Sequence, residues 1–357
     1  MRVPSRLSKY AFINAKLRTR ISEILSDEFF DRLITAPSLP EAIQLFRNTP
    51  FSFLESVYSE TGDIKMLELE LLKREMYLHR EIGDYLKGEA RSFVAALSLY
   101  YEIANLKNVL RLWFDRTVRG RTIGGAVGYI IRERIQNALP IDAILNADSM
   151  GQIIASLTET PYANVLERAA ERVESLKSLF PAEIELDRFF YMQLLQEIEG
   201  LEAKDREIAA RIIGVEIDIE NLNWLIRFKS AYDLSLDESI RYIIPRGYGT
   251  DAETARQIYA SDDASEMLSS FVKKKYPALT SMLSSGSQDS ASRFLLMEAV
   301  LHQILMQETS RLLLGNPFTI GTILSYFFLK KEEIRKILTL INAKNYEVSE
   351  GRLRRIL

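Results

Sequence analysis

The residues best suited to chemistry are Asp262, Asp263 and Glu266, in the run Asp-Asp-Ala-Ser-Glu. Paired acids of this kind hold Mg2+ in helical enzymes, because a hard cation prefers carboxylate oxygens. A metal site there would need a second acidic cluster facing the first across a bundle. The nearest candidate for that second cluster, Asp233 and Asp237, does not repeat the pattern. Asp262 also falls where Thr49 and Thr160 stand in two related segments, each at the start of a helical pattern. An acid at such a start accepts from free backbone N–H groups and meets the positive end of the helix dipole. Capping is therefore the expected role of Asp262. The chain has no cysteine, which removes disulfides, thiolate metal sites and thiol nucleophiles. His79 and His302 are its only histidines and lie far apart in sequence. The Gly-rich stretch 120–128 lacks the Lys-Ser/Thr and the preceding strand of a phosphate loop, so it reads as a joint. We expect no catalytic residue, no cofactor and no metal.

What remains is the chemistry of recognition. Asn105 and Asn221 recur with Arg111 and Arg227 at matching positions, and Glu102 matches Asp218. The acid and the asparagine are three apart, on one helix face. The simplest expectation is that Asn bonds the backbone of a neighbouring helix and Arg bridges to an acid. A functional reading puts Lys107, Asn108, Arg111, Asn223, Arg227, Arg335 and Lys336 on a polar face that docks a partner.

The helix that must position these residues occurs three times. Residues 101–114, 217–230 and 329–342 align on Leu106, Leu222 and Ile334. Apolar residues follow at helical spacing: Val109, Leu110 and Trp113; Leu225 and Ile226; Ile337, Leu338 and Ile341. That stripe is one buried helix face. The repeat extends upstream. Thr49-Pro50-Phe51 and Thr160-Pro161-Tyr162 both read as helix starts, with Thr as cap and Pro at the first helical position. Ala36, Ser38 and Leu39 match Ala147, Ser149 and Met150. The third copy has drifted, with Glu333 in place of Asn and Thr339 in place of Arg. The period is too long for a common solenoid, so each copy reads as a small helical domain.

Composition agrees. Of 357 residues 47% are hydrophobic, with only 16 Gly and 10 Pro, and no sustained period-2 run appears, so the fold is expected to be all-α. A net charge of −3 argues against a general nucleic-acid binder. Both ends are nevertheless basic: Arg2, Arg6, Lys9, Lys16, Arg18 and Arg20, then Lys330, Lys331, Arg335, Lys336, Lys344, Arg352, Arg354 and Arg355. They read as solvated helix faces, or as surfaces for anionic lipid or an acidic partner. The longest apolar stretch, residues 318–329, is too short to span a bilayer and reads as a buried helix. No secretory core is present, and the basic start belongs to a first helix around Tyr10 and Ala15. These features predict an intracellular protein, soluble or peripheral. A long helix is expected over 63–87, ended by Gly88, with a Pro-rich corner at 37–50 before it. Breaks are expected at 119–128, 180–181, 245–249, 284–287 and 316–317. The expected domains are 1–121, 122–235 and 236–357.

In order and spacing, these residues resemble the C subunit of the bacterial and archaeal V-type (A-type) ATPases, the counterpart of the d subunit of the eukaryotic V-ATPase. The carriers are Tyr10-Ala11 with Ala15-Lys16-Leu17-Arg18, the Asn105-Leu106-Lys107 helix ending in Arg111, the two Thr-Pro starts and Lys331-Glu332-Glu333-Ile334-Arg335. The resemblance covers the whole chain. It implies a funnel of three similar helical domains on the cytoplasmic face of the membrane proteolipid ring, peripheral to the membrane and monomeric when isolated. The D and F subunits of the central shaft would plug into the funnel. The protein would be a non-catalytic rotor component linking ATP chemistry to H+ or Na+ transport, with no nucleic acid or small-molecule substrate. The alternative is a helical scaffold of another soluble complex.

Overall fold

The computed structural model describes residues 6–232, 234–260, 271–274 and 290–356. Every regular element among them is helical, so the fold is all-α. The acids at 262, 263 and 266 and the expected loop at 284–287 lie outside the described residues. The first helices are α1 (Arg6–Ile21), α2 (Asp27–Thr35), α3 (Leu39–Gln44), α4 (Phe53–Thr61), α5 (Ile64–Asp84) and α6 (Gly88–Thr117). Next come α7 (Ile141–Asn146), α8 (Met150–Ser156), α9 (Tyr162–Leu176), α10 (Phe180–Gly200) and α11 (Ala203–Ala231). The remainder are α12 (Leu236–Tyr242), α13 (Ala252–Ala260), α14 (Ser290–Leu314), α15 (Gly321–Asn345) and α16 (Glu350–Ile356).

Contacts divide the chain into two compact units: Met1–Leu186 with Tyr326–Leu357, and Asp187–Ser325. In the first unit, α5 packs on α6, α6 on α7, and α8 on α9. One apolar cluster joins Phe29, Leu33, Phe46, Leu54, Leu67 and Leu71 to Ile334, Ile337, Ile341 and Leu353. The end of α15 and the short α16 thus complete the core of α2–α5. In the second unit α11 packs on α13 and α14. The buried Asp205, near the start of α11, accepts the Ile320 N–H at 3.0 Å, just before α15. Arg211 of α11 holds Glu308 of α14 with two N–H groups, at 2.7 and 3.0 Å.

In the stripes, Leu225 and Ile341 are buried and Leu338 is half-buried. Leu106, Val109 and Leu110 are fully buried, as are Leu222 and Ile337. Residues 319–328 are buried as well, and among the described residues no helix is long and apolar enough to cross a membrane.

Two local expectations need correction. Gly88 does not end the long helix. That helix stops at Asp84, and Gly88, at φ +56°, starts α6. The corner at 37–50 is not a simple break but carries α3 and a 3-10 turn at 45–48. These pieces are too short to show a helical period in sequence.

The two threonines do the same work. Thr49 donates to the Phe46 carbonyl at 2.8 Å and accepts the Phe51 N–H at 3.1 Å. Thr160 donates to the Leu157 carbonyl at 2.7 Å and accepts the Tyr162 N–H at 3.3 Å. Helix α9 starts directly behind Thr160, whereas α4 starts only at Phe53. Pro161 accordingly takes the N-cap position of α9, and Pro50 lies in the turn before α4. Thr160→Ala is expected to destabilise the protein by about 1 kcal/mol, and Thr160→Ser by much less, in denaturant titration.

Candidate functional site

The most organised polar chemistry lies where α6 and α11 each grip the chain that follows them. The Asn105 side chain behaves like a strip of backbone. Its Nδ2 donates to the Ile131 carbonyl at 2.8 Å and its Oδ1 accepts the Ile131 N–H at 2.9 Å. Asn221 makes the same pair with Ile244, at 2.9 Å in both directions. The partner is an extended lead-in segment and not the neighbouring helix expected from the sequence. A single amide satisfies both polar groups of one buried residue, which is why neither Asp nor Leu would serve.

The acid one turn earlier grips the same segment. Glu102 is fully buried and accepts four hydrogen bonds. They come from the Gln136 N–H (2.6 Å), the Asn137 N–H (2.7 Å), the Asn137 Nδ2 (2.6 Å) and the Tyr162 hydroxyl (2.6 Å). Burial first, and then the charge of Glu102, push the Tyr162 phenol far above its ordinary range. Asp218 accepts the Gly249 N–H at 2.7 Å, and the Thr250 N–H and hydroxyl at 2.8 and 2.6 Å. That turn requires glycine. A Cβ at Gly247 would collide with the Asp218 carboxylate, and one at Gly249 would stand 2.9 Å from the Phe271 ring.

The third helix uses different residues for a related task. Glu333 stands at the Asn position and accepts the Leu25 N–H at 2.7 Å, just before α2. Lys330 stands at the acid position and donates to Glu333 at 2.6 Å. The amide and acid have become an acid and a base, and the segment gripped belongs to the start of the chain. Nothing in the sequence pattern signals this exchange, since Glu333 reads there as a lost asparagine.

The seven polar residues singled out for docking are distributed as follows. Arg111 bonds Glu183 at 2.6 Å and its neighbour Asn108 at 3.3 Å, as an Arg–acid bridge requires. Lys107 is half-buried and Asn108 exposed. Arg335 forks onto Glu332 of its own helix at 2.7 and 2.8 Å. Lys336 lies 3.6 Å from Asp27 and over the Phe30 ring. In the other unit Asn223 is half-buried and Arg227 exposed. Arg111 and Asn108 are brought together by a bond. The basic ends are also largely engaged within the protein. Lys16 and Arg20 pair with Glu81, Lys9 with Glu89 and Arg354 with Asp31, while Lys344 donates to the Ile34 and Ala36 carbonyls.

The model of the ATP synthase (C/AC39) subunit family matches residues 13–356. The chain is similar to the C subunit of the A-type ATP synthase of Methanothermobacter thermautotrophicus, 26% identical over 343 residues, 95% of this chain and 84% of that protein. It is similar to the protein of the same name in Methanocaldococcus jannaschii, 21% identical over 357 residues, 98% of this chain and 86% of that protein. The protein of that name in Thermococcus gammatolerans is 25% identical over 337 residues, 92% of this chain and 84% of its own length.

Proposed function

The chain belongs to the ATP synthase (C/AC39) subunit family, and from that membership we propose that it is a non-catalytic component of the central stalk of a rotary ATPase or ATP synthase. In this reading it is a socket between the D and F subunits of the shaft and the membrane proteolipid ring. It transmits torque between ATP chemistry and H+ or Na+ transport and is peripheral, on the cytoplasmic face. The three repeats, 1–121, 122–235 and 236–357, form the walls of a funnel. The observation that carries the reading is the family match over nearly the whole chain.

The repeated locks support it. A torque adaptor needs joints that do not slip, and each lock fixes a lead-in segment to a long helix with buried hydrogen bonds. The docking residues proposed are Lys107, Asn108, Arg111, Asn223, Arg227, Arg335 and Lys336. The test is affinity capture of the tagged protein from mild-detergent extracts of its native membranes, with partners identified by mass spectrometry. Shaft subunits and proteolipid are expected, and the pair Lys107→Glu and Arg111→Glu should reduce their recovery at least about tenfold. Recovery of neither, from membranes that hold the complex, would leave a helical scaffold of some other assembly.

A further inference from the structure

The three long helices differ in what covers the face that carries the lock. Aligned on Leu106, Leu222 and Ile334, that face also includes Ser98, Gly214 and Tyr326. On α6 an extended segment crosses it. The Ser98 hydroxyl accepts the Gln136 side-chain amide at 2.8 Å, beside the bonds that Glu102 and Asn105 make to the same segment. On α11 the Tyr248 N–H donates to the Gly214 carbonyl at 3.1 Å, while Asp218 and Asn221 hold residues 244–250. The approach is close: a Cβ at Gly214 would stand 3.1 Å from the Tyr248 nitrogen.

The third helix meets the chain before α2 at Leu25, whose N–H bonds Glu333, and the chain before that is the helix α1. Tyr326, Lys330 and Ile334, successive turns of the same face of α15, line a cavity of about 460 Å3. Clefts that take ligands run from about 300 to 1,000 Å3. Its other walls are the end of α1, the turn before α4 at Phe51, and α5 at Leu71, Glu75 and Leu78. The inner wall is dry. Phe51, Leu71, Glu75, Tyr326 and Ile334 are all buried, and the Lys330 side chain is 16% exposed. It offers apolar surface with an acceptor in Glu75 and donors in Lys330 and the Tyr326 hydroxyl. Lys330 donates to Glu333 at 2.6 Å and lies 4.4 Å from the centre of the Phe51 ring, which leaves further N–H groups on its ammonium. The exposed Arg74 and Tyr77 also line the cavity, but they serve contacts within the protein: Arg74 with Glu70 and the Phe53 ring, Tyr77 with Glu133.

We propose that this cavity receives an extended segment of a partner polypeptide, which lies on α15 as residues 131–137 lie on α6. One apolar side chain of the segment rests against Phe51, Leu71 and Ile334, and its main chain runs between Glu75 and Lys330. The inference rests on the reading of this chain as a subunit of a larger assembly. The occupant is polypeptide because the two equivalent faces are covered by polypeptide, and in both a buried acid accepts main-chain N–H groups. At the third helix Lys330 stands where Glu102 and Asp218 stand, and the buried acid reaches the cavity from α5 instead, as Glu75. Side chains of an extended chain alternate in direction, so one can enter while its neighbours point outward. Its N–H and C=O groups need an acceptor and a donor once they leave water, and this wall holds both. An alkyl chain would leave Glu75 and Lys330 without a partner.

The experiment is photo-crosslinking in the assembled complex of native membranes, with Phe53→p-benzoylphenylalanine as the probe, since Phe53 is half-buried and lines the cavity. The expected product joins position 53 to one short segment of another subunit, located by mass spectrometry. The same probe at Leu176, 52% exposed on α9 and outside the cavity, should not reach that segment. Leu78→Trp fills the cavity and should lower the crosslink at least about tenfold, in a protein whose melting temperature is unchanged. A synthetic peptide of the crosslinked segment should bind the isolated chain, and Lys330→Met should weaken it at least about tenfold, through loss of a charge-assisted contact. This second variant decides the matter if Leu78→Trp does not fold. A crosslink to lipid or to this chain itself, an unchanged yield in folded Leu78→Trp, or full peptide affinity in Lys330→Met would each overturn the proposal. Recovery of other subunits with no crosslink from position 53 overturns this inference alone, whereas recovery of no subunit removes the assembly reading as well.

Discussion

Glu102→Ala is expected to remove about 4 kcal/mol or more of stability, and to lower the melting temperature of the first unit by about 10 °C. The argument is a count of stranded donors. The carboxylate is fully buried and accepts two backbone N–H groups, one amide and one phenol. Truncation leaves all four without a partner, and each buried donor left unmatched costs about 1–3 kcal/mol before any relaxation. Water entering the space would recover part of that. Glu102→Gln should fall between the two, since its amide keeps one accepting oxygen but turns an N–H2 group toward other donors. Asn105→Ala strands only the two backbone groups of Ile131 and should cost about 2 kcal/mol. Hydrogen exchange separates a local from a global effect: the Gln136 and Asn137 amides should lose protection first. A Glu102→Ala protein within about 1 kcal/mol of the unaltered one would show that the segment finds other partners.

Much of this is legible in the sequence, and the missing part has one physical character. The stripes of α6, α11 and α15 are legible because helical period is a local property of consecutive residues. The paired threonines are legible because their bonds reach only three residues back and two forward, although Pro161 and Ser52 hold the N-cap positions of the helices that follow. The recurrence of Asn105 with Glu102, and of Asn221 with Asp218, marks a site without naming its partner. Periodicity describes one element and is silent on what crosses it, so it suggests a neighbouring helix where an extended segment lies. Gly88 misleads because a glycine at positive φ serves a helix start here as it more often serves an end. The third helix is the least legible. Glu333 and Lys330 preserve the grip while changing both residue types, and their target, Leu25, lies 308 positions away.

That long-range closure carries the second large effect. Ile337→Asp is expected to unfold the core of α2–α5, although the altered residue lies in α15. Ile337 is fully buried in one cluster with Phe29, Leu33, Phe46, Leu54 and Leu67. The change removes a buried branched side chain and places a carboxylate where no cation or donor is arranged for it, at a cost of about 5 kcal/mol or more. Leu314→Asp is the control, because Leu314 is 89% exposed and its change should stay within about 0.5 kcal/mol. In hydrogen exchange, Ile337→Asp should strip protection from residues 29–71 and leave the Asp187–Ser325 unit protected, since the contacts separate the two. Protection kept at 29–71 would mean that the early helices hold a core of their own. The same dependence orders folding in time. The cluster around Phe29 cannot close until residues 334–353 have been synthesised, so the first helices made are among the last to be fixed. A chain ending at residue 325 should therefore be cleaved by protease throughout 27–71, whereas the full chain resists, and the difference measures what the closing helix contributes.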